Sequence, residues 1–303
     1  MDVRQKASLS HQDLVELNFV QSPGSYHFRR HYRMGLRSHI MEVIRPQDLE
    51  QEKKGIVIDG IRRFPKARPI KMLRIFRTKF SSLGEAKEEI KRVRLIQQNL
   101  LPEFVARSEE FLVDYKTEAG FEILLCGLQT YIEGEILDPW APTSRHPLGA
   151  LIRRMHRSGN AGPSGGIEEL VTVANNNILG FVTRVKHIIK ELGLIPDLAG
   201  VGNLLLTPQG RLVLVDINNI SSPRFDNTIV LDDRGYPVCD KSIQALFLLE
   251  KKAQAKAAVP NDPLYDHFLD PVRIEKVKAI ERRFHRSALN NASYNPGATL
   301  HSP

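Results

Sequence analysis

Asn203 and Asp216 are the residues of this 303-residue chain whose types and spacing best suit chemistry. Two apolar runs, 204–206 and 212–215, flank Thr207-Pro208-Gln209-Gly210. Short branched runs around a Pro/Gly turn predict a β-hairpin. Asn203 stands at the entry of its first strand and Asp216 at the exit of its second. In an antiparallel pair, entry and exit lie side by side, so an amide oxygen and a carboxylate share one end of the hairpin. That pair suits a hard cation such as Mg²⁺, which takes one or two protein carboxylates and completes its shell with phosphate oxygens.

The elements around the hairpin must hold it in place. A long apolar stripe predicts a helix over 167–192, with Gly193 as its C-cap, running directly into the hairpin segment. Earlier in the chain, 70–77 (IKMLRIFR) reads as a strand on which Met72, Arg74 and Phe76 share a face. Residues 82–99 read as a helix capped by Ser81 or Ser82, with Glu85, Glu88 and Glu89 near its start. A second hairpin is predicted for 111–115 and 121–131 across 117–120, then a helix over 148–159 and a loop over 160–166. Past Asp216, the turn Asp232-Asp233-Arg234-Gly235 predicts a third hairpin over 228–238. A helix over 243–258 and a basic helix over 271–289 follow, and the polar tail from Asn290 reads as disordered. Residues 1–67 carry weaker signals: a strand or short helix over 36–44 broken by Pro46, and a short apolar strand between Gly55 and Gly60.

The order of long helix, polar loop and hairpin resembles the catalytic core of the protein-kinase-like superfamily, including its small-molecule kinases. In that superfamily a catalytic-loop Asp leads to a metal-binding Asn, and a second metal-binding Asp ends the hairpin. Asp197, Asn203 and Asp216 fill those places, with Asp216 standing 13 residues beyond Asn203. The resemblance implies an α+β, two-lobed protein-kinase-like fold. Its N-lobe, 1–132, is a small antiparallel sheet with one helix, and its C-lobe, 133–289, is mainly helical, followed by the tail 290–303. It implies ATP and Mg²⁺ as ligands, with Asn203 and Asp216 on the metal and Asp197 as the base toward an acceptor hydroxyl. Arg74 takes the place of the lysine in V-A-I-K, as in kinases of the choline-kinase kind, and Glu89 on the 82–99 helix pairs with it. Adenine is then expected against the backbone around Gln129 and Tyr131, where Y-I-x-G resembles the hinge of aminoglycoside-phosphotransferase-like enzymes.

The chain departs from that pattern at four points. Asp-Leu-Ala-Gly-Val-Gly-Asn is one residue longer than the stretch from D to N in H-R-D-x-x-x-x-N, and Gly200 and Gly202 allow the extra residue to bulge outward. Ile195-Pro196 replaces His-Arg. Asp216-Ile217-Asn218 replaces D-F-G. No G-x-G-x-x-G is present, so the turn at 22–25 (SPGS) is the candidate for covering phosphate.

The composition, 42% apolar and 26% charged, is that of a soluble globular protein, and the only two cysteines exclude a disulfide framework. A reduced, cytoplasmic setting is expected. A net charge of +8, spread along the chain rather than gathered in a tail, suits anionic ligands: nucleotides, nucleic acid or a membrane surface. No apolar run predicts a membrane span. Three functions remain open in this order: an ATP-dependent phosphotransferase, a pseudokinase acting as a nucleotide-binding or regulatory module, and a basic nucleic-acid-binding protein. The acceptor is a small molecule or another hydroxyl-bearing substrate, and the sequence does not name it.

Overall fold

A computed structural model of the protein describes residues 2–32, 37–117, 120–141, 147–157, 166–254 and 262–293. The chain is α+β and divides into two compact units, residues 1–91 with 106–131 and residues 92–105 with 132–303.

The first unit opens with α1 (His11–Val15), capped by a reciprocal Ser10–Asp13 box, then β1 (His27–Arg30) and β2 (Ser38–Ile44). Next come α2 (Pro46–Lys54), a ribbon of β3 (Ile56–Ile58) with β4 (Ile61–Arg63), and β5 (Lys71–Phe76). Helix α3 (Leu83–Leu100) begins in this unit and ends in the other, and β6 (Ser108–Thr117) and β7 (Gly120–Thr130) complete the first. Five of the strands form one antiparallel sheet in the order β1-β2-β5-β7-β6. Alternation along each strand gives the sheet two covered faces. Leu73 and Ile75 of β5 with Leu124 and Cys126 of β7 pack against Leu9, Leu14 and Leu17 of the N-terminal segment. Phe76 and Leu125, one residue out of phase, pack instead against Ile90 of α3.

The second unit comprises β8 (Glu135–Ile136), α4 (Pro147–Arg157), α5 (Ile167–Leu192), β9 (Leu204–Leu206) and β10 (Leu212–Leu214). Helices α6 (Val238–Gln254), α7 (Pro263–Phe268) and α8 (Pro271–Ser293) follow. A three-stranded sheet, β10-β9-β8, lies in one apolar core with α5 and α6. The stripe on α5 is buried at Leu170, Ile178, Phe181, Val185 and Ile189, and Gly193 closes the helix with φ 62°. Beta-strand residues Leu206, Leu212 and Leu214 are fully enclosed.

Several expectations change. Pro46 does not simply break the chain after β2: it occupies the first turn of α2, where its missing N–H costs nothing. The turn at 232–235 forms, with Gly235 N–H donating to Asp232 O, but its flanks do not pair as strands. They are drawn elsewhere, Thr228 O by the Arg273 guanidinium and the Tyr236 hydroxyl by Glu281. Helix α6 starts at Val238, earlier than expected, and α8 continues to Ser293, into the expected tail. The rest of that tail, most of the 160–166 loop and residues 255–258 lie outside the described residues.

Candidate functional site

The loop 195–203 is held on several sides before any functional group is considered. Ile195 and Ser221 exchange two backbone hydrogen bonds of 2.9 Å, which clamps the start of the loop to the segment following Asp216. The Leu198 N–H donates to Ser242 Oγ at 3.0 Å, a buried bond reaching 44 positions along the chain to the first turn of α6. The Ala199 carbonyl accepts from Trp140 Nε1 at 3.1 Å, and Lys241 Nζ lies 4.1 Å from the centre of that ring. Asp240, in the first turn of α6, is wholly buried and paired with Arg273, with Nε to Oδ1 at 2.5 Å and Nη2 to Oδ2 at 3.3 Å. Arg273 also donates to Asp226 O and Thr228 O, so this pair ties α8 to the 226–240 segment while Ser242 holds the loop.

Within this frame the structure brings Asp197, Asn203 and Asp216 together. The register pairs Leu204 with Leu214, and the Val215 N–H donates to Asn203 O at 2.8 Å, so Asn203 and Asp216 flank one end of the hairpin. Asn203 Nδ2 donates to the Asp197 carbonyl at 2.9 Å, which fixes the amide and leaves Oδ1 as its acceptor. The side chain lies over Gly200: a Cβ there would sit 2.7 to 2.9 Å from Nδ2, Oδ1 and Cγ of Asn203. Gly202 takes φ 99°, a conformation that glycine adopts without strain. Between these two glycines Val201 is 62% exposed, and Asp197 lies beside Asn203.

The Asp197 carboxylate is itself well held. Oδ1 accepts from the Ala199 and Gly200 N–H groups at 2.9 and 3.2 Å, and Oδ2 accepts from Asn219 Nδ2 at 3.4 Å. Burial and the neighbouring Asp216 carboxylate push the Asp197 carboxyl up to about 6, against the opposing pull of these three donors. Asp216 Oδ1 accepts from the backbone N–H and side-chain amide of Asn218, at 3.2 and 2.6 Å. Asn219 adopts φ 60°, where asparagine is favoured among non-glycine residues, and its amide bridges Asp197 and Asp232. Sequence reading missed Asn219, Ser242 and Trp140. Only the Asn218-Asn219 pair after Asp216 carried a signal, since asparagine tolerates left-handed turns.

The other expected residues belong to the first unit. Arg74 and Gln129 occupy one face of the five-stranded sheet, the face that α3 covers. Arg74 is 2% exposed, and its guanidinium lies 3.7 Å from Glu110 Oε1 and 3.5 Å from Ser108 Oγ. Both Arg74 on β5 and Glu110 on β6 are register partners of Gly127 on the intervening β7. The two side chains meet across Gly127, where an added Cβ would lie 3.5 Å from Glu110 Oε1. Glu110 is therefore a partner of Arg74 that the sequence did not reveal. Glu89 lies half-buried on α3, whereas Glu88 is exposed and paired with Lys91 at 3.5 Å. Gln129 is 4% exposed, and its Nε2 has no hydrogen-bond partner among the described residues. Tyr131 follows β7 directly and is partly buried. The turn at 22–25 precedes β1, closed by Ser25 N–H to Ser22 O at 3.0 Å.

The oxygens of Asn203 and Asp216 fit a hard divalent cation in kind. Among the described residues no group of three or more His, Cys, Asp or Glu side chains could hold a metal ion. No described helix is long and apolar enough to cross a membrane. No protein-family model matches the chain, and no curated protein matches it closely enough to count as a relative.

Proposed function

We propose that the chain is an ATP- and Mg²⁺-dependent phosphotransferase of the protein-kinase-like kind, acting on an acceptor hydroxyl. One observation carries the reading: Asn203 is bound through Nδ2 to the Asp197 carbonyl at the end of the hairpin that also delivers Asp216. Asn203 and Asp216 would hold the metal, which when bound neutralises charge on the transferred phosphoryl group. Asp197 orients the acceptor hydroxyl and takes its proton. With its carboxyl near 6 it is ionised at neutral pH and more basic than an ordinary aspartate. The 195–203 loop contributes by positioning, since Ser221, Ser242 and Trp140 fix its backbone before any ligand arrives.

A second reading, a nucleotide-binding pseudokinase, is favoured by one feature. Both carboxylate oxygens of Asp197 already accept hydrogen bonds within the fold, as a purely structural aspartate would. Thermal melts with Mg·ATP test what the two readings share. At one hundred times Kd the ligand adds about 2.7 kcal/mol, which raises Tm by about 4 °C in a chain of this size. Asp216→Ala abolishes the rise. A wild-type protein indifferent to every nucleotide and metal refutes both. Asp197→Asn then separates them: the phosphotransferase keeps nucleotide binding and loses turnover in a screen of sugars, amino alcohols and proteins.

A further inference from the structure

The β3–β4 ribbon stands apart from the five-stranded sheet and pairs only within itself, in the register Ile56–Arg63, Val57–Arg62 and Ile58–Ile61. Four of its large apolar side chains face water: Val57 is 63% exposed, Ile58 41%, Ile61 59% and Phe64 62%. An isolated two-stranded ribbon is marginal in water, and large apolar side chains exposed on both of its faces mark it as a segment of interaction. The ribbon is nonetheless built rigidly. Its turn, Asp59-Gly60, has φ values of 52° and 75°, the left-handed pair that matches strand twist. At its root Glu52 accepts from the Ala67 N–H at 2.9 Å, while Arg29 grips both Glu52 and the Ala67 carbonyl.

Its charge is one-sided. Residues 53–68 hold six lysines and arginines against the single acid Asp59. Ile58 and Ile61 face each other beside the turn, with Arg62 and Arg63 one and two pairs behind them. We propose that this ribbon docks on an anionic lipid bilayer: its apolar tip enters the headgroup boundary and Arg62 and Arg63 engage lipid phosphates. A second copy of the chain is disfavoured because it would set arginine against arginine. Nucleic acid would satisfy the arginines but leave the isoleucines and valine in water, since phosphate contacts are made by the basic residues. The bilayer uses both, as interfacial segments do.

Co-sedimentation with phosphatidylcholine vesicles, with and without phosphatidylserine, tests the proposal. The full chain is expected to bind the phosphatidylserine vesicles in a salt-sensitive manner and to ignore the neutral ones. Arg62→Gln with Arg63→Gln weakens binding about thirtyfold, which is about 2 kcal/mol at 1.4 kcal/mol per tenfold and about 1 kcal/mol per basic residue. Ile58→Ser with Ile61→Ser weakens it by at least about tenfold. Both pairs are exposed, so melting temperatures should match wild type. A fluorophore on Ile61→Cys should shift to the blue on phosphatidylserine vesicles, because the native thiols, Cys126 and Cys239, are buried and stay unlabelled. Absence of vesicle binding overturns the proposal. So does binding untouched by the isoleucine pair, or tight binding to duplex DNA that depends on the arginines alone.

Discussion

Replacing Gly200 with alanine probes the site by sterics alone. Gly200 does not occupy a left-handed conformation, so an alanine backbone fits, and what it meets is the Asn203 side chain, at 2.7 Å from Nδ2, 2.8 Å from Oδ1 and 2.9 Å from Cγ. Cβ contacts shorter than 3.0 Å are essentially never seen, so something must move. Asn203 is short and held to the Asp197 carbonyl, and any shift large enough to clear the methyl breaks that 2.9 Å bond. Losing one such bond costs about 0.5–1.5 kcal/mol, a fall in Tm of about 1–2 °C for a chain of this size. The larger effect falls on ligand binding. If displacement of Asn203 weakens Mg·ATP tenfold, the stabilisation at one hundred wild-type Kd falls from about 2.7 to about 1.4 kcal/mol. Melts at fixed Mg·ATP should therefore show the ligand-induced rise halved or worse. Gly84→Ala is the control, because its new Cβ meets nothing nearer than Ser82 Oγ at 3.7 Å. That variant should keep the full rise and gain up to about 1 kcal/mol in stability. A Gly200→Ala protein with wild-type stability and a wild-type nucleotide response would refute the placement of Asn203.

Three further outcomes follow from the same geometry. Ser242→Ala leaves the buried Leu198 N–H without its acceptor and should cost about 1–3 kcal/mol by denaturant titration, whereas loss of a solvated hydroxyl would cost nothing measurable. Arg74→Met removes the charge 3.7 Å from the buried Glu110 and should destabilise the fold, by up to about 3–5 kcal/mol for a buried pair; adding Glu110→Leu should recover part of that loss, and simple additivity would show that the two do not interact. Burial, with the positive charge of Arg77, holds the His39 imidazole down to about 4, so the fold prefers it neutral. Its stabilising contribution is complete above its ordinary value of 6.5 and is lost as the pH falls toward 4. Urea titrations from pH 7 to 4 should show an acid loss that His39→Gln removes, and an unchanged acid limb would exclude His39 as its source.

Local patterns in the sequence specified much of this molecule. The period of the α5 stripe, the Pro/Gly turn between β9 and β10, and the alternation along β5 and β7 all depend on residues within a few positions of each other. That locality is also why Asn203 and Asp216 could be placed together: a tight hairpin leaves its two ends no other arrangement. The exposed position of Val201 was legible for the same reason, since two glycines flank it. Tertiary structure decided which distant groups complete those local pieces. Glu110 meets Arg74 across a third strand that the fold lays between them. Ser242 rather than Asp240 holds the loop, because Arg273, 33 positions beyond Asp240, takes that carboxylate for itself. Likewise the apolar run 56–58 reads as a short strand, and among the described residues it pairs only with β4, with Val57 and Ile58 exposed to water. Such choices are competitions among partners brought together by folding, and no spacing along the chain encodes which one wins.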